Sequence, residues 1–202
     1  MGFIFNFHTA KVVKPVVLSA VLDDKFHNPK VFTKNVNVNN INESNVAFFD
    51  LEPDYIIGSV EDGTYIPNIR EWAILHQNKE YEYKTHTNYT ETINEFWKLY
   101  QKLNYPYLIA HNGFSFDFLI LIAHIYRYLQ DPFAKIKNFN IFDSYVFIKP
   151  YNIKYSNMDL FLHYKHKYLE YDRLQYNQHE ALADVKMLSL WFTYFLKLKF
   201  IW

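Results

Sequence analysis

Two acidic residues stand two positions apart at the end of a short apolar run, in residues 46–52, VAFFDLE. On a β-strand, positions i and i+2 point to the same face, so the carboxylates of Asp50 and Glu52 would lie side by side. Such a pair is repulsive unless a cation lies between the two groups. Ligands that are all oxygen suit Mg²⁺ or Mn²⁺. A solvated pair at a strand edge is the alternative interpretation, but the flanking Phe and Leu residues argue against it.

Three further residues could complete such a site. Asp117 opens a strongly apolar helix after the turn His111-Asn112-Gly113, although helix dipoles favour acids at that position in any case. His179 and Asp184 frame the start of the last helix, in residues 178–184, QHEALAD. An ordinary helix start with one acid inside it is the alternative interpretation of this pair.

The elements that must position these residues alternate along the chain. The expected strands cover residues 46–52, 69–75, 79–85 and 107–110 and the first part of 141–148. Two of the expected helices start at Thr90 and at Phe114, and Asp131-Pro132 ends the second of these. A short helix is expected in the second part of residues 141–148. The last two helices are expected from about residue 158, with Ser156 or Asn157 as the cap, and over residues 180–200. This order predicts an α/β fold with a mixed central β-sheet flanked by α-helices.

A change of composition near residue 45 divides the chain into two parts. Residues 34–45 are polar and rich in Asn, which is typical of a loop. We therefore expect residues 1–45 to form an N-terminal arm and residues 46–202 to form the main domain. Whether the arm is a capping hairpin or a tail that binds a protein partner stays open from the sequence.

Composition and charge exclude several classes of protein. The 21 basic and 21 acidic residues balance, which argues against broad binding of duplex DNA but not against a small cleft that grips a strand end. The chain has no Cys, which excludes disulfides, thiolate metal ligands and a Cys nucleophile, and fits an intracellular protein. We expect no membrane segment and no signal peptide, since no apolar run is long enough and the N-terminus lacks a basic leader.

Taken in order, three segments resemble the motifs of the DEDDh family of 3′-to-5′ exonucleases, in the ribonuclease H-like superfamily. They are residues 49–52 (FDLE), 110–117 (AHNGFSFD) and 179–184 (HEALAD, with the H-x(4)-D spacing). Residues 142–144, FDS, also resemble the family's strand that ends in Asp-Ser or Asp-Thr. The resemblance covers about residues 46–197. It implies a ribonuclease H-like fold, as in three-prime repair exonucleases, ribonuclease T and proofreading subunits.

The resemblance also implies a catalytic role for each motif residue. Asp50, Glu52 and Asp184 would hold one of two Mg²⁺ or Mn²⁺ ions, and Asp50 would bridge to the second. Asp117 would bind the second ion, through water. His179 would deprotonate the attacking water, so that a nucleoside 5′-monophosphate leaves the 3′ end of the strand.

Residues beside the motifs would hold the terminal nucleotide in the same family. By position, Leu51 would wedge near the last base, Asn112 would contact the sugar-phosphate and Phe116 would stack on a base. One residue departs from the pattern. Family members commonly have Thr or a small residue after the first motif's Glu, whereas Pro53 follows here and has no amide hydrogen to donate.

The implied substrate is a single-stranded nucleic acid, DNA or RNA, with a free 3′ end. Two alternatives remain: a proofreading or processing subunit that binds a larger complex through residues 1–45, and a protein that binds nucleic acid or a partner without turnover. The exonuclease of family-B polymerases has similar first motifs but carries Tyr before its last Asp, so His179 argues against that group.

Overall fold

The computed structural model describes residues 16–20, 30–34, 43–54, 67–85, 87–137, 139–151, 156–165 and 180–200. The strands are β1 (Val16–Ala20), β2 (Lys30–Lys34), β3 (Val46–Pro53), β4 (Ile69–His76), β5 (Lys79–Lys84), β6 (Tyr107–Ala110) and β7 (Ile141–Asp143). The helices are α1 (Tyr89–Lys102), α2 (Asp117–Tyr128), α3 (Pro132–Lys137), α4 (Ser144–Ile148), α5 (Asn157–Lys165) and α6 (Ala181–Phe200).

Five of the strands form one mixed sheet in the order β5-β4-β3-β6-β7. β3 lies in the middle, antiparallel to β4 and parallel to β6, and β7 continues the parallel half. β4 and β5 form a hairpin whose turn residues, Gln77 and Asn78, have φ of 50° and 61°. This left-handed conformation matches the twist of a tight hairpin. The predicted α/β fold with a mixed central sheet is confirmed.

Helices cover both faces of this sheet. On one face, α1, α2 and α3 pack against a core that includes Phe49, Leu51 and Trp72. On the other face, α4, α5 and α6 pack against a second core that includes Ile109 and Phe142. The two cores follow from the period of two in the strands, since alternate apolar side chains serve opposite layers.

The same alternation decides where the β3 carboxylates lie. Phe49 and Leu51, 0% and 2% exposed, are buried in the layer of α1 and α2. Phe48 points to the other layer, where its ring meets that of Phe192 on α6 at 6.4 Å between centroids. Asp50 and Glu52 are in phase with Phe48, so they lie on the face that α6 crosses.

Two predicted helix starts are wrong in detail. α1 begins at Tyr89, and its cap is Asn88 rather than Thr90, since the Asn88 side chain accepts a hydrogen bond from the amide of Glu91. α2 begins at Asp117 rather than at Phe114, because residues 114–116 form turns that bring the chain out of β6.

The other predicted boundaries agree closely with the structure. Ser156 caps α5: its hydroxyl accepts from the amide of Asp159, and the carboxylate of Asp159 accepts from that hydroxyl and from the amide of Ser156. Pro132 does end the α2 segment, but it also opens the short helix α3, which apolar spacing did not predict.

In the N-terminal segment, β1 and β2 pair antiparallel as a separate two-stranded sheet. The role of residues 1–45 as an arm stays a prediction. Among the helices of the described residues, none combines the length and the apolar character that crossing a membrane requires.

Candidate metal centre

Three carboxylates from two elements converge beside the middle of the sheet. Asp50 and Glu52 come from β3, and Asp184 comes from the first turn of α6. One carboxylate oxygen from each residue lies within 4.8 Å of the others, and all three side chains are half-buried. Two oxygens on one Mg²⁺, at about 2.1 Å each, lie at most about 4.2 Å apart. Small movements would bring the three oxygens into one coordination sphere, so this all-oxygen donor set fits a divalent cation.

The cluster lies at the carboxyl ends of the parallel strands. β3 pairs with β6 only as far as Phe48, and β6 and β7 end at Ala110 and Asp143. Sites in open α/β sheets commonly lie at this edge, where the chain leaves the strands and side chains are no longer enclosed by the sheet.

Asp117 lies beside the cluster without joining it. It is 4% exposed at the start of α2, and its Oδ1 accepts the amide of Leu51 at 3.2 Å. The residue between Asp50 and Glu52 is thus tied to the first turn of α2. The structure therefore brings Asp117 next to the predicted ligands but outside the set of three, and its role as a ligand of a second ion stays a prediction.

The pKa values of Asp50 and Asp117 are both raised. Burial raises the pKa of Asp50 well above its usual value, and the neighbouring charges of Asp117, Asp184 and Glu52 raise it further. Burial also raises the pKa of Asp117 from 3.8 to about 8, against the lowering effect of the Leu51 amide. A divalent cation would relieve this repulsion, which a proton otherwise relieves.

The loop from β6 to α2 is held by a further carboxylate, Asp143. Its two oxygens accept the amides of Asn112 and Phe114 at 3.1 and 2.9 Å. Oδ1 also accepts the first amides of α4, from Tyr145 and Val146, at 2.8 and 3.2 Å. Asp143 therefore fixes the loop that delivers the chain to α2, and this accounts physically for the acid in residues 142–144.

Close packing at Gly113 restrains the same loop. A Cβ at this position would lie 2.7 Å from the ring of Phe118 and 2.8 Å from the Cβ of Ala110. Only glycine fits there without movement of its neighbours. The preceding residue, Asn112, has φ of 60°, a conformation that Asn tolerates better than most residues.

The three predicted nucleotide contacts lie in different environments. Asn112 is exposed at the turn, and Phe116 is half-buried beside the α2 core. Leu51 is 2% exposed, so its backbone amide rather than its side chain faces Asp117. Pro53 lies at an irregularity in the pairing of β3 with β4, where a missing amide donor is tolerated. The roles of these residues stay predictions.

The predicted general base, His179, lies outside the described residues, which resume at Glu180. The helix that follows is well defined. The amide of Asp184 donates to the carbonyl of Glu180 at 3.1 Å, and its carbonyl accepts from the side chain of Asn157 at 2.9 Å. Asn157 in turn accepts from the indole of Trp191 at 2.7 Å, so α5 and α6 hold the backbone of Asp184 together.

Sequence reasoning missed one acidic residue next to the centre. Glu71 on β4 stands directly across from Glu52, is 4% exposed, and its charge also raises the pKa of Asp50. The signal for it was a charge in phase with Ala73 and Leu75, on the face of β4 that carries small and apolar residues. A buried Glu needs a partner, and that partner becomes visible only in the folded chain.

Comparison with known proteins finds no match: no family model, no curated protein and no solved structure corresponds to the chain. The case for a function therefore depends on the residues and their arrangement.

Proposed function

We propose that the protein is a metal-dependent 3′-to-5′ exonuclease that hydrolyses single-stranded DNA or RNA to nucleoside 5′-monophosphates. The observation that carries this proposal is the convergence of Asp50, Glu52 and Asp184 within 4.8 Å, from a strand and a helix far apart in sequence. The order of the strands and the helices on both faces are compatible with a ribonuclease H-like fold, which is part of the proposal.

Two Mg²⁺ or Mn²⁺ ions would supply the charge that the chemistry needs. Asp50, Glu52 and Asp184 would hold one ion, and Asp50 and Asp117 would hold the other. When bound, such a pair stabilises both the attacking and the leaving oxygen of an in-line displacement at phosphorus. Carboxylate oxygens suit these hard cations.

The protein's own groups would orient the strand and move the proton. His179, two residues before α6 begins at Ala181, would accept the proton of the attacking water. The Leu51 amide keeps Asp117 in place, and the amides pinned by Asp143 fix the turn at Asn112. Asn112 would contact the last sugar-phosphate, and Phe116 would stack on a base.

The direct test is an exonuclease assay on single strands of DNA and RNA that carry a label at either end. With Mn²⁺ or Mg²⁺, we expect a 5′-labelled strand to shorten stepwise and a 3′-labelled strand to release a labelled mononucleotide at once. EDTA should stop both reactions. Internal cleavage, or shortening from the 5′ end, would contradict the proposed direction.

Asp50→Ala is the variant that decides the role of the centre. Loss of an outer-shell partner of a metal site already costs about ten- to a hundredfold. Loss of a ligand should therefore lower the rate by at least roughly a hundredfold. Glu82→Ala, which removes an exposed carboxylate of β5, is the matched control and should stay active. Full metal-dependent activity of Asp50→Ala, with an intact fold by circular dichroism, would refute the assignment.

A wild-type protein that binds labelled strands but never cleaves them with Mn²⁺ would favour the alternative of a binding protein. Activity that appears only with a partner captured through residues 1–45 would favour a subunit of a larger complex.

A further inference from the structure

Glu71 is a buried carboxylate with a specific partner on another element. Its Oε1 accepts the amide of Ala181, the first residue of α6, at 3.0 Å. The ammonium of Lys84, directly across on β5, lies 3.4 Å from the same oxygen. The Lys84 side chain is 46% exposed, whereas that of Glu71 is 5% exposed, so the carboxylate faces inward and the ammonium lies at the rim.

The start of α6 needs such an acceptor. The first amides of an α-helix have no carbonyl partner within the helix, and Ala181 is 0% exposed, so water cannot supply one. A negative charge at this end also interacts favourably with the helix dipole. Glu71 therefore caps α6 from a neighbouring strand, in the place that a Ser, Thr or Asp just before a helix usually fills.

The cap lies next to the carboxylate cluster. Across β3 and β4, Glu52 stands opposite Glu71, and Asp50 stands opposite Ala73. Ala73 and Ala181 are both 0% exposed and pack in one small cluster with Val185, so α6 approaches the strands closely there. The Glu71 carboxylate thus joins β4, the strand beside the two β3 ligands, to the first turn of α6, which carries the third ligand, Asp184.

We propose that Glu71 is a positioning residue, which fixes the first turn of α6 so that Asp184 meets Asp50 and Glu52, while Lys84 balances its charge. The effect of Glu71 on metal binding rests on the proposed function, whereas its role as the cap of α6 does not. Glu71 does not need to touch an ion or a substrate for this role.

Three substitutions of Glu71 separate the effect of side-chain length from the effect of charge. Glu71→Ala removes the acceptor, and Glu71→Gln keeps an acceptor oxygen without the charge. Glu71→Asp keeps the charge but withdraws it by about 1.5 Å, the length of one carbon–carbon bond. Glu82→Ala is the control, since this exposed residue of β5 pairs with Lys84 but not with α6.

The first measurement is amide exchange at Ala181 in metal-free protein, followed by NMR. We expect exchange to be roughly tenfold faster in Glu71→Ala and Glu71→Asp, because a buried donor then lacks its partner. Glu71→Gln and the control should stay close to wild type. The second measurement is Mn²⁺ binding by calorimetry, where Glu71→Ala should weaken the affinity about tenfold, as loss of an outer-shell partner commonly does.

Unchanged exchange in both Glu71→Ala and Glu71→Asp would overturn the proposal, as would exchange in Glu71→Gln as fast as in Glu71→Ala. If Glu71→Ala fails to fold, the comparison of Asp with Gln at this position still decides. Neither measurement depends on nuclease activity. A wild type that binds no Mn²⁺ would remove the proposed function, whereas the exchange rates would still show whether Glu71 caps α6.

Discussion

Asp117→Asn tests whether burial keeps the Asp117 carboxyl protonated in the metal-free protein at neutral pH. The side chain is 4% exposed, and burial raises its pKa to about 8. Asparagine has nearly the same shape, and its Oδ1 can still accept the amide of Leu51. The substitution thus removes the titrating charge and leaves the contact.

The sign and size of the effect follow from linkage. The folded protein binds the Asp117 proton up to about pH 8, whereas the unfolded chain releases it near 3.8. This contribution to stability is fully present below pH 3.8 and is lost as the pH rises through about 8. Between pH 6.5 and 8.0 the metal-free wild type should lose about 1.5 kcal/mol from this group alone. Asp50, whose pKa is also raised, adds to the loss with the same sign.

The assay is urea unfolding in EDTA at pH 6.5 and 8.0. We expect the free energy of unfolding of the wild type to fall across this range, and that of Asp117→Asn to fall by about 1.5 kcal/mol less. Glu82→Gln, at an exposed site, should follow the wild type. Equal slopes for wild type and Asp117→Asn would refute the view that Asp117 is protonated in the metal-free fold at neutral pH.

Two further predictions concern stability away from the cluster. His124 donates through Nε2 to the carbonyl of Pro67, and burial lowers its pKa from 6.5 to about 4. The contribution of His124 to the free energy of unfolding is therefore lost as the pH falls from 6.5 towards 4. Between pH 7 and 5, urea unfolding should show that the wild type loses about 2 kcal/mol relative to His124→Gln. The same pH dependence of stability in both proteins would contradict this. Gly113→Ala should destabilise the protein by about 1–3 kcal/mol, because the new Cβ meets the buried ring of Phe118; a change below about 0.5 kcal/mol would show that the loop can shift freely.

Much of the fold could be predicted because its signals are local. The apolar run before Asp50 predicts a strand, and the period of two then places both β3 carboxylates on one face. The α6 segment is long and its apolar residues recur at helical spacing, so its start was predicted within one residue of Ala181. Such patterns depend on neighbours in sequence, which a single chain displays.

The starts of α1 and α2 were predicted wrongly because each helix has close alternative starts in the sequence. Thr90 and Asn88 are both good helix caps, and the sequence alone does not show that the Asn88 oxygen reaches the amide of Glu91. Residues 114–116 include two Phe residues, so they resemble the apolar helix that follows. They stay outside it because Gly113 packs against Phe118 and Asp143 holds the amide of Phe114.

The residues of the candidate site divide in the same way, into those predicted from sequence patterns and those whose role depends on a partner distant in sequence. The shared face of Asp50 and Glu52 could be predicted from their spacing on a strand, whereas the place of Asp184 beside them was predicted only from the resemblance of the three motifs. Glu71 could not be predicted, because its partner amide is 110 residues away, and a Glu in a strand is more often a surface residue. Glu71 is buried beside the cluster of Asp50, Glu52 and Asp184. A fourth carboxylate beside them would add repulsion without benefit unless it held something in place. Glu71 holds the amide of Ala181 at 3.0 Å and the ammonium of Lys84 at 3.4 Å.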